Sequence, residues 1–429
     1  MSETPREQGQ DSRSCLREGR NEIASGDPHA RIAAAGDILV TKSSFSAMRE
    51  SGNPDPLRLA APLLRKADLR LGNLEYPLTD TPARHPLVRH RTRNGPPELA
   101  EILARAGFDI LGLANNHMLD CMPEGLADTV AVLRRHGIGA FGAGSDLARA
   151  RAPALRGVAG LRFAFLAYTF PLHQIATEST PGCAPDDPAL MREEVRIARG
   201  HADHVVVSLH ARSDAGSDFF FYPSVRHQRV CRSLLAEGAS AVLCHHVHAL
   251  QGIEVHRGGL IAYGLGSLLA PVHDPFLRSP LPPFRAFVDK GIILSLEFDA
   301  SRLLSFEARP TIIQEDLSVR PAEGEEKREL LRHLSKISAP LYDERALARL
   351  APDRSYPAKL RRAIEKAKRV GPGAFLVEVL GDVGRRIDRL VLGPRRVAAF
   401  QRRLRTGRAL IEPNPPLSGD GPRDEGGAA

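Results

Sequence analysis

From Arg31 to about Gln314 the chain repeats one pattern, a short apolar run followed by an amphipathic segment. RIAAAGDILV reads as a strand, PLRLAAPLLRKA (56–67) as a helix, and DLRLGNLE as a strand. ELAEILARAG is a helix closed by Gly107, and FDILGLA a strand. PEGLADTVAVLRRHG is a helix that starts at Pro123 and stops at Gly137, with Leu126, Val130 and Leu133 as its apolar stripe. LRFAFLAY, HVVVSLH and SAVLCHH are strands, separated by the helical DPALMREEVRIARG and SVRHQRVCRSLLAEG. Such alternation implies layered α/β architecture. GGLIAYGLG, KGIILSLEF and LLSFEARPTIIQ then follow without helices, which predicts an antiparallel portion joining the sheet.

A chain of 429 residues is long for one core, so a main domain plus an appendage is expected. Residues 1–30 read as a disordered leader, 31–315 as the main domain, 321–410 as a basic helical C-terminal appendage, and 411–429 as a disordered tail. From Ser355 to Leu410 there are 15 Lys/Arg against 4 Asp/Glu, a local excess larger than the chain's +8 formal charge, so the rest of the chain is slightly acidic. Such a stretch suits peripheral contact with an anionic membrane, an acidic polymer, or simply a solvated helical face. Trp is absent and aromatics total 5 %, which argues against stacking on single-stranded nucleic acid. The five Cys are odd in number and show no CxxC spacing, which argues against a disulfide framework and a zinc knuckle. No apolar signal region and no run of about 20 apolar residues is present, so the expected location is cytoplasmic.

Ligands of open α/β folds bind beyond the carboxyl ends of the strands. The chain's unusual polar residues fall there. Asp37 follows AAAG, Asn73 and Glu75 follow LRLG, and Asn115, Asn116 and His117 follow ILGLA. His210 follows VVVSL, and His245, His246 and His248 follow AVLC. Taken singly, Asp37 suits a turn or cap, Asn115–His117 a capping loop, and His210 a core histidine. As a set, carboxylate, amide and imidazole without thiolate suit a catalytic site for Mn, Zn, Fe or Mg. A carboxylate flanked by His and Asn suits a pair of divalent ions. Arg212 offers a planar fork for an anionic substrate.

The segments AAAGDILV, LGNLEYPLT, GFDILGLANNHMLD, GIGAFGAG, VVVSLH and HHVHALQGIEVHRGGLIAYGLGS resemble the CapA-like family, named for capsule and poly-γ-glutamate biosynthesis. That family is related to the calcineurin-like metallophosphoesterases. The resemblance implies a four-layered α/β/β/α sandwich and a two-metal hydrolase acting on a phosphoester or amide bond. The rival expectations are a non-catalytic accessory factor in anionic-polymer synthesis or export, and a basic-tail module that binds membrane or nucleic acid. The resemblance also implies Asp37, Glu75 and His248 as ligands of a first metal, with Glu75 bridging. Asn116, His210 and His246 would hold the second. His117 resembles the leaving-group acid, with Asn115 beside it, and Asn73, Arg212 and His245 are expected at an anionic small-molecule or polymer substrate. Several positions depart from the pattern. Leu39 stands where the phosphoesterases carry a histidine, HARSDA replaces HWGxEY, CHHVH replaces GHHPH, and Ser267 replaces an asparagine.

Overall fold

The computed structural model describes residues 28–86, 93–211, 221–271 and 288–351. Residues 1–27 of the expected leader, the 355–410 basic stretch, the 411–429 tail and Arg212 lie outside the described residues, while Ala30, the leader's expected last residue, is instead the buried start of the first strand.

Strand β1 (Ala30–Ile38) opens the fold. Helix α1 (Lys42–Glu50) follows, a helix the Ser-rich sequence did not announce. Its start is fixed reciprocally: the Ser44 N–H donates to the Thr41 hydroxyl, and the Thr41 N–H donates to Ser44 Oγ. The helix expected over 56–67 shrinks to α2 (Ala61–Leu64). Pro62 lacks the N–H that would bond to Arg58, so it fits only the first turn of a helix and the helix cannot begin as early as residue 56. β2 (Leu69–Leu74), α3 (Leu99–Ala106), β3 (Ile110–Gly112), α4 (Met122–Arg135) and β4 (Gly139–Phe141) come next. Gly107 ends α3 at φ 102°, a left-handed turn that glycine makes without steric cost.

The second half carries β5 (Ala143–Gly144), α5 (Leu147–Arg151), β6 (Ala154–Val158), β7 (Leu161–Thr169), β8 (Gly182–Cys183), α6 (Pro188–Arg199) and β9 (His204–His210). Then come α7 (Val225–Ala236), β10 (Ala241–His245), β11 (Ile253–His256), β12 (Gly259–Ala262) and β13 (Ser267–Leu269). The last elements are β14 (Lys290–Phe298), β15 (Leu303–Ile313), β16 (Val319–Pro321), and the helices α8 (Gly324–Ser338) and α9 (Glu344–Leu350). β16 and α8 continue on the same body. The Val319 N–H donates to the Pro56 carbonyl at 2.7 Å, and Ile312, Ala322 and Leu330 pack together.

Among the described residues, the first sheet has the order β16-β15-β14-β1-β2-β3-β4, with β13 also pairing β1. β1 to β4 run parallel, while β14, β15 and β16 add the antiparallel portion expected from the later strands. The second sheet has the order β11-β12-β10-β9-β7-β6 and is parallel from β7 to β12. Side chains alternate across a strand. Val206, Leu243, Leu260, Phe163 and Phe165 therefore enter the core shared with the first sheet. Val205, Val207, Val242, Ile261 and Leu166 face the core under α6 and α7. Helices, sheet, sheet and helices stack as a four-layered α/β/β/α sandwich.

His204 ties the two sheets. It is 1 % exposed, its Nε2–H donates to the Asp299 carbonyl at 2.6 Å, and its Nδ1 lies 3.0 Å from Ser240 Oγ. Its ring packs on Phe163 and Phe298. Burial holds its pKa below the ordinary 6.5, the Asp299 carbonyl offsetting part of the effect. The unfolded chain therefore binds a proton that the fold refuses. Stability from this group is complete above pH 6.5 and declines as pH falls towards the depressed folded value. His204→Gln should flatten part of that acid limb, read as urea midpoints on either side of pH 6.5.

Candidate metal centre

The carboxyl ends of β1, β2, β9 and β10 meet at one rim. Asp37 is placed there by an irregularity in β1. Ala34 pairs with Leu71 but Asp37 pairs with Asn73, so three steps on β1 match two on β2. This bulge re-aims the strand end. It also brings Gly36 against β13. A Cβ at Gly36 would lie 2.0 Å from the Gly266 carbonyl oxygen, a backbone atom that cannot swing aside. Gly36→Ala should cost at least the roughly 1–3 kcal/mol of an overpacked core, read from a urea midpoint, and displace Asp37 with it.

Asp37 is 1 % exposed. Asn73 Nδ2 donates to its Oδ1 at 2.8 Å, and the His246 N–H donates to its Oδ2 at 3.0 Å. His245 Nδ1 lies 3.0 Å from Oδ1 and His248 Nδ1 3.2 Å from Oδ2. Burial alone would raise its pKa, but the hydrogen bonds and charge of His245 and His248 outweigh burial and hold it well below the carboxylate range. Glu75, just past β2, is held by its N–H donating to the Ile38 carbonyl at 2.9 Å. Its Oε1 lies 3.5 Å from His248 Nε2 and 3.9 Å from His117 Nε2. Its Oε2 is buried with no hydrogen-bond partner among the described residues. His248 is thus set between two carboxylates. Burial pulls its pKa down, but Glu75 and Asp37 dominate and push it up to about 10.

His210 ends β9 in register with His245. Its Nε2 lies 2.8 Å from Asn116 Oδ1 and 3.2 Å from His246 Nδ1, and its Nδ1 lies 3.3 Å from Asn73 Nδ2. Burial, then the neighbouring His246, holds its pKa well below the imidazole range, so it is neutral, the form that ligates metals. His246 and His248 adopt φ values of 89° and 49°. Non-glycine residues in this region cost on the order of 1–3 kcal/mol each. Both lie on the turn that presents the two rings.

Two ligand groups result. Asp37, Glu75 and His248 offer atoms all within 4.8 Å of one another, and so do Glu75, His210 and His246. Glu75 belongs to both. A buried carboxylate with an unpartnered oxygen, beside imidazole nitrogens and an amide oxygen, is a donor set that fits divalent cations. These residues could therefore hold metal ions.

Some expected roles change. Asn115 does not face the centre. Its Nδ2 donates to the Leu74 carbonyl at 2.7 Å and its Oδ1 accepts from the His117 N–H at 3.0 Å, so it fixes the loop that carries His117. Asn73 and His245, expected at substrate, are 1 % and 3 % exposed and both contact Asp37. They brace Asp37. Asp120 had no assigned role. Its Oδ2 lies 2.9 Å from His117 Nδ1, and His173 Nε2 lies 3.7 Å from its Oδ1. Burial would raise the Asp120 pKa, yet His117 and His173 keep it lowered, hence ionised. Tyr76 meets the His117 ring edge-on at 5.2 Å, and Phe170 lies 5.0 Å from the His246 ring. The usable sequence signal for Asp120 was its place three residues after His117 in ANNHMLD.

Residues 31–271 match the family described as "Bacterial capsule synthesis protein PGA_cap". The capsule biosynthesis protein CapA of Bacillus anthracis is 29 % identical over 246 residues, 56 % of this chain and 59 % of that protein. The PGA biosynthesis protein CapA of Bacillus subtilis (strain 168) is 28 % identical over 237 residues, 54 % of this chain and 61 % of that protein. The matches thus span about three-fifths of each relative's length. A solved phosphatase from Mycoplasma pneumoniae aligns with 67 % of this chain and 95 % of its own at 12 % identity and a TM-score of 0.42.

Proposed function

The chain belongs to the PGA_cap family of bacterial capsule synthesis proteins, and from that premise we propose that it is a two-metal-dependent hydrolase of a phosphoester or amide bond, serving the synthesis of an anionic capsule polymer such as poly-γ-glutamate. The observation that carries this reading is Glu75, a buried carboxylate common to two three-residue ligand groups, with one oxygen unpartnered among the described residues.

Asp37, Glu75 and His248 would hold one divalent ion, and Glu75, Asn116, His210 and His246 the other. Manganese, zinc, iron or magnesium each accept part of this donor set. When bound, such ions supply Lewis-acid polarisation of a phosphoryl or acyl oxygen and acidify a water near neutral pH. The protein's own part is positional. Asn73 and His245 hold Asp37, and Asn115 holds the His117 loop. Asp120 accepts from His117 Nδ1 and holds the ring, and the Nε2–H of the imidazolium would give its proton to the departing oxygen or nitrogen, leaving the neutral Nδ1–H tautomer. The anionic substrate is a good match for the basic 355–410 stretch, which we assign to polymer or membrane-surface contact. No helix among the described residues is long and apolar enough to cross a membrane.

Hydrolysis of an aryl phosphate is the test. Chelator-treated protein should gain activity with added Mn²⁺, and His246→Ala should not. Equal behaviour of the two proteins, with no bound metal in either, would replace this reading with that of a non-catalytic accessory factor.

A further inference from the structure

A second cluster of ligand atoms lies in the other core. His227 and Cys231 are four residues apart on α7, so both project from one helix face. Cys244 lies on β10, on the face that carries Val242 into the core under α6 and α7. Leu243 points the other way, into the core between the sheets. Cys231 Sγ lies 3.8 Å from Cys244 Sγ and 3.7 Å from His227 Nε2, and the three ligand atoms fall within 4.8 Å of one another.

We propose that His227, Cys231 and Cys244 form a separate zinc site that staples α7 to β10. The spacing carries the proposal. Zinc holds sulfur at about 2.3 Å and imidazole nitrogen at about 2.0–2.1 Å in a tetrahedron, which sets edges of roughly 3.8 Å between sulfurs and roughly 3.6 Å between sulfur and nitrogen. The Cys231–Cys244 and Cys231–His227 separations match those edges, and the third pair, Cys244 and His227, lies within 4.8 Å. The sulfur separation does not match a disulfide, whose sulfurs sit about 2.05 Å apart. The donor types agree as well: two cysteine sulfurs and an imidazole select a softer ion than the carboxylate-rich rim does. The cysteines are 0 % and 1 % exposed, while His227 is half-buried, so entry and a fourth, external donor belong on the histidine side.

The surroundings are built rather than fluid. Tyr263 lies 6.0 Å from the His227 ring and donates its hydroxyl to Glu254 Oε2 at 2.8 Å. Gln228 and Arg232, on the same helix, also donate to Glu254, at 3.3 Å and 2.8 Å. That carboxylate is therefore occupied and the metal is left to the three named residues. The absence of CxxC spacing argued only against a site local in sequence, whereas the fold closes this one across 17 residues, from His227 to Cys244. A bound ion would fix the strand whose end leads into His246 and His248.

Cobalt substitution tests the proposal, because thiolate-to-cobalt charge-transfer absorption reports sulfur ligands and ignores an oxygen- and nitrogen-lined centre. The full chain, reduced and metal-stripped, should develop this absorption to saturation and lose it on adding zinc. The absorption should persist in His246→Ala and vanish in Cys231→Ser and Cys244→Ser. His227→Gln keeps both thiols, and it should weaken zinc at least tenfold in competition with a chromophoric chelator, taking the lower limit for loss of a supporting contact. No charge-transfer absorption in the reduced wild type would overturn the site. So would absorption that survives both Cys substitutions, or His227→Gln binding zinc as the wild type does. A Cys231–Cys244 disulfide, with no metal uptake after reduction, would make the pair redox-active instead.

Discussion

Glu75→Gln is expected to abolish the stabilisation of this protein by Mn²⁺. The substitution keeps the side chain's volume and removes the charge that both ligand groups share. In the wild type, metal at a hundred times its dissociation constant should add about 2.7 kcal/mol. That corresponds to several degrees in Tm for a domain of this size. In the variant the shift should be close to zero. Metal-free stability should change much less, because His248 keeps Asp37 as its partner at 3.2 Å. Hydrolytic activity should fall more than about 100-fold, since even outer contacts to a metal ligand are worth about 10–100-fold. Asn116→Ala makes the comparison sharper. It touches only the group with His210 and should leave part of the Mn²⁺ shift intact. An undiminished shift in Glu75→Gln would show that Glu75 is a structural carboxylate.

His117→Asn should lower the rate by about 10²–10⁴ while leaving metal content unchanged. The residue sits at the centre's edge, with its side chain 18 % exposed and its Nε2 3.9 Å from Glu75 Oε1. Neither three-residue ligand group contains it. The loss should depend on the leaving group. A nitrophenolate departs without a proton, so its ester should lose least, and an alkyl phosphate should lose most. Asp120→Asn should shift activity in the same direction, because it removes the charge that orients His117 Nδ1. A loss equal across leaving groups, or a loss of bound metal, would take the proton-donor role away from His117.

The rim residues were legible because each ends an apolar run, and alternating strands and helices deliver such ends to one side of a sheet. Asp37, Glu75, Asn116, His210, His246 and His248 do converge. Roles inside the cluster were less legible, because they depend on which neighbour each side chain finds. Asn115 turned to the backbone of β2, and His245 turned behind Asp37, and neither outcome is encoded in a local pattern. The bulge that aims Asp37 needs β13 alongside β1, a contact across more than 200 residues. α2 starts late because Pro62 is confined to a helix's first turn, which the amphipathic stripe from residue 56 does not reveal. The cluster of His227, Cys231 and Cys244 has no sequence signature, since a helix and a strand must pack before its atoms meet.

Electron paramagnetic resonance of the chelator-treated chain titrated with Mn²⁺ tests the shared-carboxylate centre most directly. Two Mn²⁺ per chain should disappear from the free-ion signal into one exchange-coupled signal, which Glu75→Gln should remove. A titration in which Mn²⁺ remains free, or binds as uncoupled single ions in wild type and Glu75→Gln alike, would contradict the account.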